Sequence, residues 1–563
     1  MVARIPLIVN PDAAQIQELP AGDTLDIEGL NSVTLTADGT IAANAAVVLT
    51  SDGKAKAIET VNGGPTTFQG QNTNNWYTGG SSESVYQLHD ACWFTGSSAG
   101  RQSDVVLAAW QIKSTTSSLD QRLHLVAGKL SGNSVTWGTP NNVNETTANI
   151  ALASNGDTRG ILMYTLGSAV RIRTVHVPTG GMGEPGTSIV KGNLVDVRTN
   201  SSEGSLCYLG EDGGKSYFVV AYKQTTGTGN ESYLKVIRHE GDGTNPTLSS
   251  TQYQVTGATT NTHTTTHLIP ISRNKFIVQV GQENSNTTMN VCTTSGYGIR
   301  VGPAYTSQQL GSATDPVRLH DDHNNGSVYD PINEKLLIWH NKGDGQDGVV
   351  RVYDIVGNSI IFRFESIFVA GGVEHTHFSM YPTVEVTDKG QIVVTYNLDS
   401  SNHGKRVVGS YNHDKTQIFW GTTTAIFTGS AAPTWSIGEA RFTQHVKAGN
   451  SGKIINLFSN GDGSSYNTPG KAVVFQTATT TLTADNFLGF SSAAYGNNDA
   501  ARIKVVGNTL TTSGLTIGEK YYVKDDGTLG TSEVFYNTNG HGKSFNVGAG
   551  KAIAANKLLI TPV

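Results

Sequence analysis

Residues 318–330 read RLHDDHNNGSVYD and set His320, Asp321, Asp322 and His323 in four consecutive positions. Two imidazoles and two carboxylates at that density suit three kinds of chemistry. They can ligate zinc or a similar ion. They can run general acid–base catalysis. Or they can line a wet surface, where polar side chains satisfy backbone groups and water. VEHTHFSM adds Glu374, His375 and His377, and THTTTH adds His263 and His267. In the metal reading, His320, His323, His375 and His377 are the ligands, with carboxylates beside them. In the hydrolytic reading, Asp321 and Glu374 are the working pair of carboxylates. The HxxH and HxH spacings select none of these by themselves. No G-x-S-x-G elbow, Walker A loop or H-E-x-x-H helix occurs in the chain. The expectation is therefore a polar lining in a protein that is not an enzyme and needs no cofactor, with metal binding left open.

Such clusters need a scaffold that brings distant segments together, and the chain supplies one by repetition. A dense apolar strand follows a Gly-, Asp- or Asn-containing turn seven times: DVVLAAW, GILMYT, YFVVAY, KFIVQV, KLLIWH, QIVVTY and KIINLF. With Val105, Ile161, Tyr217, Phe276, Leu336, Ile392 and Ile454 as markers, the spacings are 56, 56, 59, 60, 56 and 62 residues. The preceding turns place residues where a hairpin needs positive φ. A second apolar strand follows (LHLVAGKL, VRIRTVHV, YLKVIRH, VVRVYDI, KAVVFQ) and then a weaker one such as SVTWG or IIFRFES. Each period thus predicts about four antiparallel strands. Apolar residues at consecutive rather than alternating positions predict burial on both faces, as in an inner strand sandwiched between neighbouring sheets. The expected fold is all-β, a seven-bladed β-propeller over residues 85–482, because stacked sheets closed in a ring leave no sheet to shield itself alone. In each copy the polar clusters fall just before the inner hairpin: His89 and Asp90, Glu145, Glu203, His263 and His267, His320 to His323, Glu374 to His377, and Glu439. They are expected to form a ring at one mouth of the channel.

Composition removes other function classes. The 563 residues carry Lys+Arg 39 against Asp+Glu 45, a net charge of −6, so there is no general footprint for nucleic acid or anionic membrane. No stretch approaches the ~18 apolar residues of a membrane helix. The start, MVARIPLIVNPDAAQ, lacks the apolar core of a secretory signal, so synthesis in a cytoplasm is expected. Cys92, Cys207 and Cys292 are an odd, widely spaced set, read as small buried residues rather than a disulfide framework. SNGDGSSY at 459–466 resembles the turn motif of sialidase propellers, but its aspartate is misplaced and the tryptophan missing, so it reads as a turn.

The flanks are short strands broken by DG and NN turns, and the text continues across the repeats as though they were inserted. The division read from sequence is a segment 1–32, a small split β domain made of 33–62 plus 483–563, a linker 63–84, and the propeller. VVLTSDGKAKAI, FLGFSSAAYGNNDAARIKVVG, SGLTIGEKYYVKDDGTLGTS and AGKAIAANKLLI resemble modules of bacteriophage tail-fibre and other virion structural proteins, in the style of cyanophages. IPLIVNPDAAQIQELPAGDTLDIEGL similarly resembles the segment by which such proteins plug into a particle. The resemblance implies a place in the virion, partnership with other virion proteins through the N-terminal segment, and a propeller that meets a host cell-surface glycan or protein. A tail fibre or tail-associated protein is the first expectation. A head decoration protein and a polysaccharide-degrading propeller enzyme are the alternatives. A homo-oligomer is compatible with a fibre, although no heptad stretch enforces a trimer.

Overall fold

From Val105 to Trp110 every side chain is removed from solvent. Successive residues of a strand point to opposite faces, and here the two faces meet different partners. Val106, Ala108 and Trp110 pack with Ile455, Leu457 and Val474. Val105, Leu107 and Ala109 pack with Leu152, Leu162 and Tyr164. A strand buried in this way must lie between two other sheets, and each fully buried Val or Leu contributes roughly 1.5–3 kcal/mol of transfer free energy.

The structure is a computed structural model. It describes the chain except residues 1–6, 11–14, 19–30, 51, 59–60, 63–65, 68–82, 97–102, 115–121, 139, 147, 179–188, 227–228, 241–244, 256–263, 283–286, 307–325, 343–346, 372–382, 388–389, 398–403, 412–414, 422, 426–440, 449–452, 460–469, 477–486, 524–526, 532–534, 537–542, 545–546 and 562–563. The fold is all-β, with strands and no helix among the described residues. The chain forms two compact units, one of residues 61–477 with 535–544, the other of 1–60, 478–534 and 545–563.

In the larger unit seven antiparallel sheets follow one plan among the described residues, the first six ordered as their strands come in the chain. The first runs Glu83–Phe94, Val105–Ser114, Arg122–Ser131, Ser134–Trp137. Later sheets begin at Ala148–Ser154, Ser201–Asp212, Thr264–Ser272, Ser327–Asp330, Thr383–Val386 and Arg441–Lys447. Apolar clusters join every sheet to the next: second to third through Met163 and Val220, third to fourth through Val219 and Val278, fourth to fifth through Ile277 and Leu336. Fifth meets sixth through Val350 and Val394, sixth meets seventh through Val393 and Phe475, and Trp110 returns the seventh to the first. The stack closes on itself, which makes the unit a β-propeller.

Two boundaries differ from the sequence reading. The seventh sheet takes its outer edge from the other end of the unit: Val61–Asn62 and Thr66–Thr67 pair with Gly470–Gln476, in register Asn62↔Phe475 and Thr66↔Ala472. Residues assigned from sequence to the split domain and the linker thus complete the ring. The hairpin Phe535–Tyr536 with Lys543–Ser544, also placed with the split domain, clusters with the propeller. Both are pairs of two-residue strands, too short for periodicity to register. The outer edge is likewise divided in most sheets. Ser134–Trp137 and Asn141–Thr146 both pair with Arg122–Ser131, for example, whereas the fourth and fifth sheets keep the continuous strands Gly298–Thr306 and Ser359–Val369.

The smaller unit is assembled from both flanks. Its first sheet runs Ser32–Thr36, Ala500–Lys504, Phe487–Ser491, Ala46–Leu49, Ala55–Ala57; its second runs Thr509–Thr511, Lys557–Leu559, Gly548–Ala554, Lys520–Val523, Leu529–Gly530. Val48, Phe490, Tyr521, Ala549 and Leu558 share one core between them. Each sheet carries a glycine at a bulge, Gly489 (φ +147°) and Gly550 (φ +148°), where a Cβ would lie 2.0 Å from the carbonyl oxygen of Lys504 or Leu559. Only glycine fits so close an approach. In the N-terminal segment Leu7–Asn10 pairs with Gln15–Glu18 as a two-stranded hairpin.

Candidate functional site

Of the residues expected to form the polar ring, His263, His320, Asp321, Asp322, His323, Glu374, His375 and His377 lie outside the described residues. His267 is described, and it does not stand on a wet lip. It sits on the first strand of the fourth sheet, opposite Gln279, and is 7% exposed. Its neighbours in the strand set its direction: Leu268 packs toward the third sheet and Ile269 toward the fifth. Strand alternation therefore turns His267 toward the fifth sheet. Burial lowers its pKa to about 4, so the ring is neutral at pH 7, and Nδ1 finds no hydrogen-bond partner among the described residues. His124 is a second buried imidazole, its Nδ1 3.3 Å from the Arg122 carbonyl oxygen. It is wholly buried, lies 5.8 Å from the Trp110 ring in a stacked pair, and is also brought to about 4 by burial.

The polar positions of the inner strands that are described serve the joints between sheets. Asp90, on the first strand of the first sheet, is 7% exposed. Its Oδ2 accepts the Leu152 N–H of the second sheet at 2.8 Å, and its Oδ1 accepts the Ala91 N–H at 2.8 Å. Leu268 N–H of the fourth sheet donates to Ser205 Oγ of the third at 3.1 Å. Ser327 Oγ of the fifth donates to Gln279 Oε1 of the fourth at 2.8 Å. Asn456 Nδ2 of the seventh donates to Thr395 Oγ1 of the sixth at 2.9 Å. These are buried groups bonded across neighbouring sheets, and they set the register at which one sheet meets the next.

No group of three or more His, Cys, Asp or Glu side chains is placed to hold a metal ion among the described residues. Cys92, Cys207 and Cys292 are buried free thiols. Burial raises all three, Cys292 to about 12, so none is poised as a thiolate at neutral pH.

A cavity of about 370 Å³ opens between the outer parts of the third and fourth sheets, lined by Arg238, Thr247, Ser250, Tyr253, Tyr297 and Gly298 among others. The sequence reading did not single out these residues. Arg238 belongs to Gly229–His239, where Leu234 and Val236 face the fourth sheet. Arg238 continues that face beyond the end of the apolar core. Tyr297 comes from a tight hairpin turn, and the turn holds the signal that could have found it. Gly132–Asn133, Gly357–Asn358 and Gly296–Tyr297 connect the third and fourth strands of their sheets, each with glycine at positive φ in the first central position. That is the type II′ arrangement, which demands glycine there and leaves the second position free. Two turns use Asn; the third uses Tyr297, for which the turn itself has no need.

No protein-family model matches the sequence, and no curated protein matches it. Among solved structures, similarity is found to the fucose-specific lectin from Aleuria aurantia, at 11% identity over 62% of this chain and 100% of the lectin, with a TM-score of 0.33. It is found also to the NanB sialidase from Streptococcus pneumoniae, at 12% identity over 70% of this chain and 69% of that one, TM-score 0.38. A subtype N11 neuraminidase-like protein from a flat-faced bat isolate matches at 9% identity over 71% and 99%, TM-score 0.33. The propeller assignment stands on the sheet-to-sheet cores of the chain itself.

Proposed function

We propose that the chain is a structural protein of a bacteriophage particle, a tail fibre or tail-associated component, whose seven-bladed propeller is held out for attachment to a host surface. The observation that supports this reading most directly is the interleaving of the flanks in the smaller unit. Ser32 pairs with Lys504 and Val48 with Phe487 across more than four hundred residues of sequence. Three of the four strands so joined, Ala46–Leu49, Phe487–Ser491 and Ala500–Lys504, overlap the phrases that resemble virion modules. The propeller is then an insertion in a virion-type domain, a topology that exposed turns tolerate. The N-terminal segment is the part assigned to contact with other virion proteins. Peptide mass spectrometry on gradient-purified particles, with immunogold labelling against the full chain, tests the proposal. The chain is expected in particles, with gold at the tail. Gold on the head would reassign it to a decoration protein, and absence from particles would refute the virion reading.

A further inference from the structure

We propose that the cavity between the third and fourth sheets of the propeller is a binding site for a neutral pyranose sugar. This deepens the host-surface reading and takes its biological setting from it. The binding chemistry rests on the side chains alone.

An aromatic floor comes first. The Arg238 guanidinium carbon lies 5.1 Å from the centre of the Tyr297 ring, and Tyr217 meets Tyr297 edge-on at 6.4 Å. Stacked against Arg238 and propped by Tyr217, Tyr297 is a stiff surface against which the C–H face of a sugar ring can pack. Next comes a paired donor and acceptor. Arg238 forms an ion pair with Glu240, whose carboxylate also lies 3.6 Å from Lys215 Nζ. Arg238 lines the cavity with its side chain 26% exposed, and the accessible edge of its guanidinium can donate to a ligand acceptor. Vicinal sugar hydroxyls can accept from a guanidinium and donate to the adjacent carboxylate at once. The rim completes the site with the exposed residues Thr247, Ser250 and Thr251. Ser249 is committed elsewhere, accepting from Val236 N–H and donating to Thr251 O.

Space and charge narrow the ligand. The strand residue after the turn is Ser134 or Ser359 in the two related hairpins but Gly298 here, and a Cβ at Gly298 would stand 3.9 Å from the Tyr253 hydroxyl. The missing side chain keeps the cavity open. At about 370 Å³ it lies at the small end of ligand sites, typically ~300–1,000 Å³. Glu240 pairs with Arg238 and offsets its charge, and every other lining side chain is uncharged, so the cavity offers hydroxyls, an aromatic ring and a single paired cation, a lining suited to a neutral sugar.

The test uses the full chain on a glycan array carrying neutral, sialylated and uronic-acid oligosaccharides. Calorimetric titration follows with methyl glycosides of galactose, glucose, mannose and fucose. Saturable binding of a neutral pyranoside is expected. Arg238→Ala should weaken it about tenfold or more, the loss expected from one charged hydrogen bond. Ser250→Trp, an exposed rim substitution that fills the opening without touching the core, should abolish it. Absence of saturable binding to every neutral sugar would overturn the proposal. So would binding unaffected by Ser250→Trp, or binding confined to acidic glycans. Sugar binding by a chain absent from particles would sink the virion reading and leave this site standing; a chain present in particles but without sugar binding would do the reverse.

Discussion

His267 and His124 make the propeller acid-sensitive in a way that can be worked out from their burial. Each has a folded pKa of about 4, against roughly 6.5 for an unperturbed histidine in the unfolded chain. Because the folded value is the lower one, the unfolded chain takes up the proton first, and acid favours unfolding. Stability is fully present above about pH 6.5, falls as the pH drops, and levels off near pH 4. Within that window each histidine costs about 1.4 kcal/mol per pH unit. Between pH 7 and pH 5 the loss is about 2 kcal/mol for each residue and about 4 kcal/mol for the pair. The seven tryptophans all belong to the propeller unit, so denaturant unfolding followed by tryptophan fluorescence reports on that unit alone. His267→Gln and His124→Gln remove one titrating group each. Whatever either substitution costs at pH 7, the drop from pH 7 to pH 5 should shrink by about 2 kcal/mol relative to the parent chain. A His267→Gln variant with the parent's pH dependence, to within about 0.5 kcal/mol, would refute the placement of that imidazole in a dry joint between sheets.

Asp90→Ala should lower propeller stability by about 2–4 kcal/mol, because it strands the buried Leu152 N–H, while Asp90→Asn, whose amide oxygen still accepts, should cost less; both are read from fluorescence midpoints in denaturant. Glu334 holds φ +58°, so Glu334→Asn, a residue at ease in that region, should raise stability by roughly 0.5–1 kcal/mol in the same assay. Replacing residues 61–67 with a Gly-Ser stretch of equal length removes the outer edge of the seventh sheet; faster proteolysis and a lower melting temperature are expected, with self-association through the exposed Gly470–Gln476 strand visible by size-exclusion chromatography.

The inner hairpins were legible because their signal is redundant. Six consecutive apolar residues, Val105 to Trp110, leave no solvent face, and the same pattern returns at a near-constant interval. The ring edge was not legible. VNGGPTT at 61–67 reads as the seam between split domain and linker, and its pairing with Gly470–Gln476 becomes visible only once the strands it completes are in place. Turn chemistry was legible in kind but not in residue. In DPINEK the positive φ falls on Glu334 rather than Asn333, because Asn333 is committed: its Nδ2 donates to Asp330 Oδ2 at 2.7 Å and to Gly390 O at 3.1 Å. Polar clusters were the hardest to read. THTTTH looks uniformly wet in one dimension, yet Thr266 and His267 are both buried. The sequence shows that a strand is polar; it does not show that another sheet lies against both of its faces.

The same geometry explains why a binding site would arise at the outer joint rather than the inner one. Near the axis the sheets converge, and polar groups there bond across the joints, as Asp90, Ser205, Gln279 Oε1 and Asn456 Nδ2 do. Farther out, sheet twist drives neighbouring blades apart, and side chains that continue an inward face run out of partners. Arg238 lies past the end of the core made by Leu234 and Val236, and Tyr297 occupies a turn position with no conformational demand of its own. Tyr297 packs on the edge of the core shared by the third and fourth sheets, whereas the exposed rim residue Ser250 carries no such duty and can be chosen for a ligand without disturbing the ring. On this argument, substitutions at Ser250 should leave the propeller's unfolding midpoint nearly unchanged while altering sugar binding, whereas substitutions at Asp90 should act in the opposite sense.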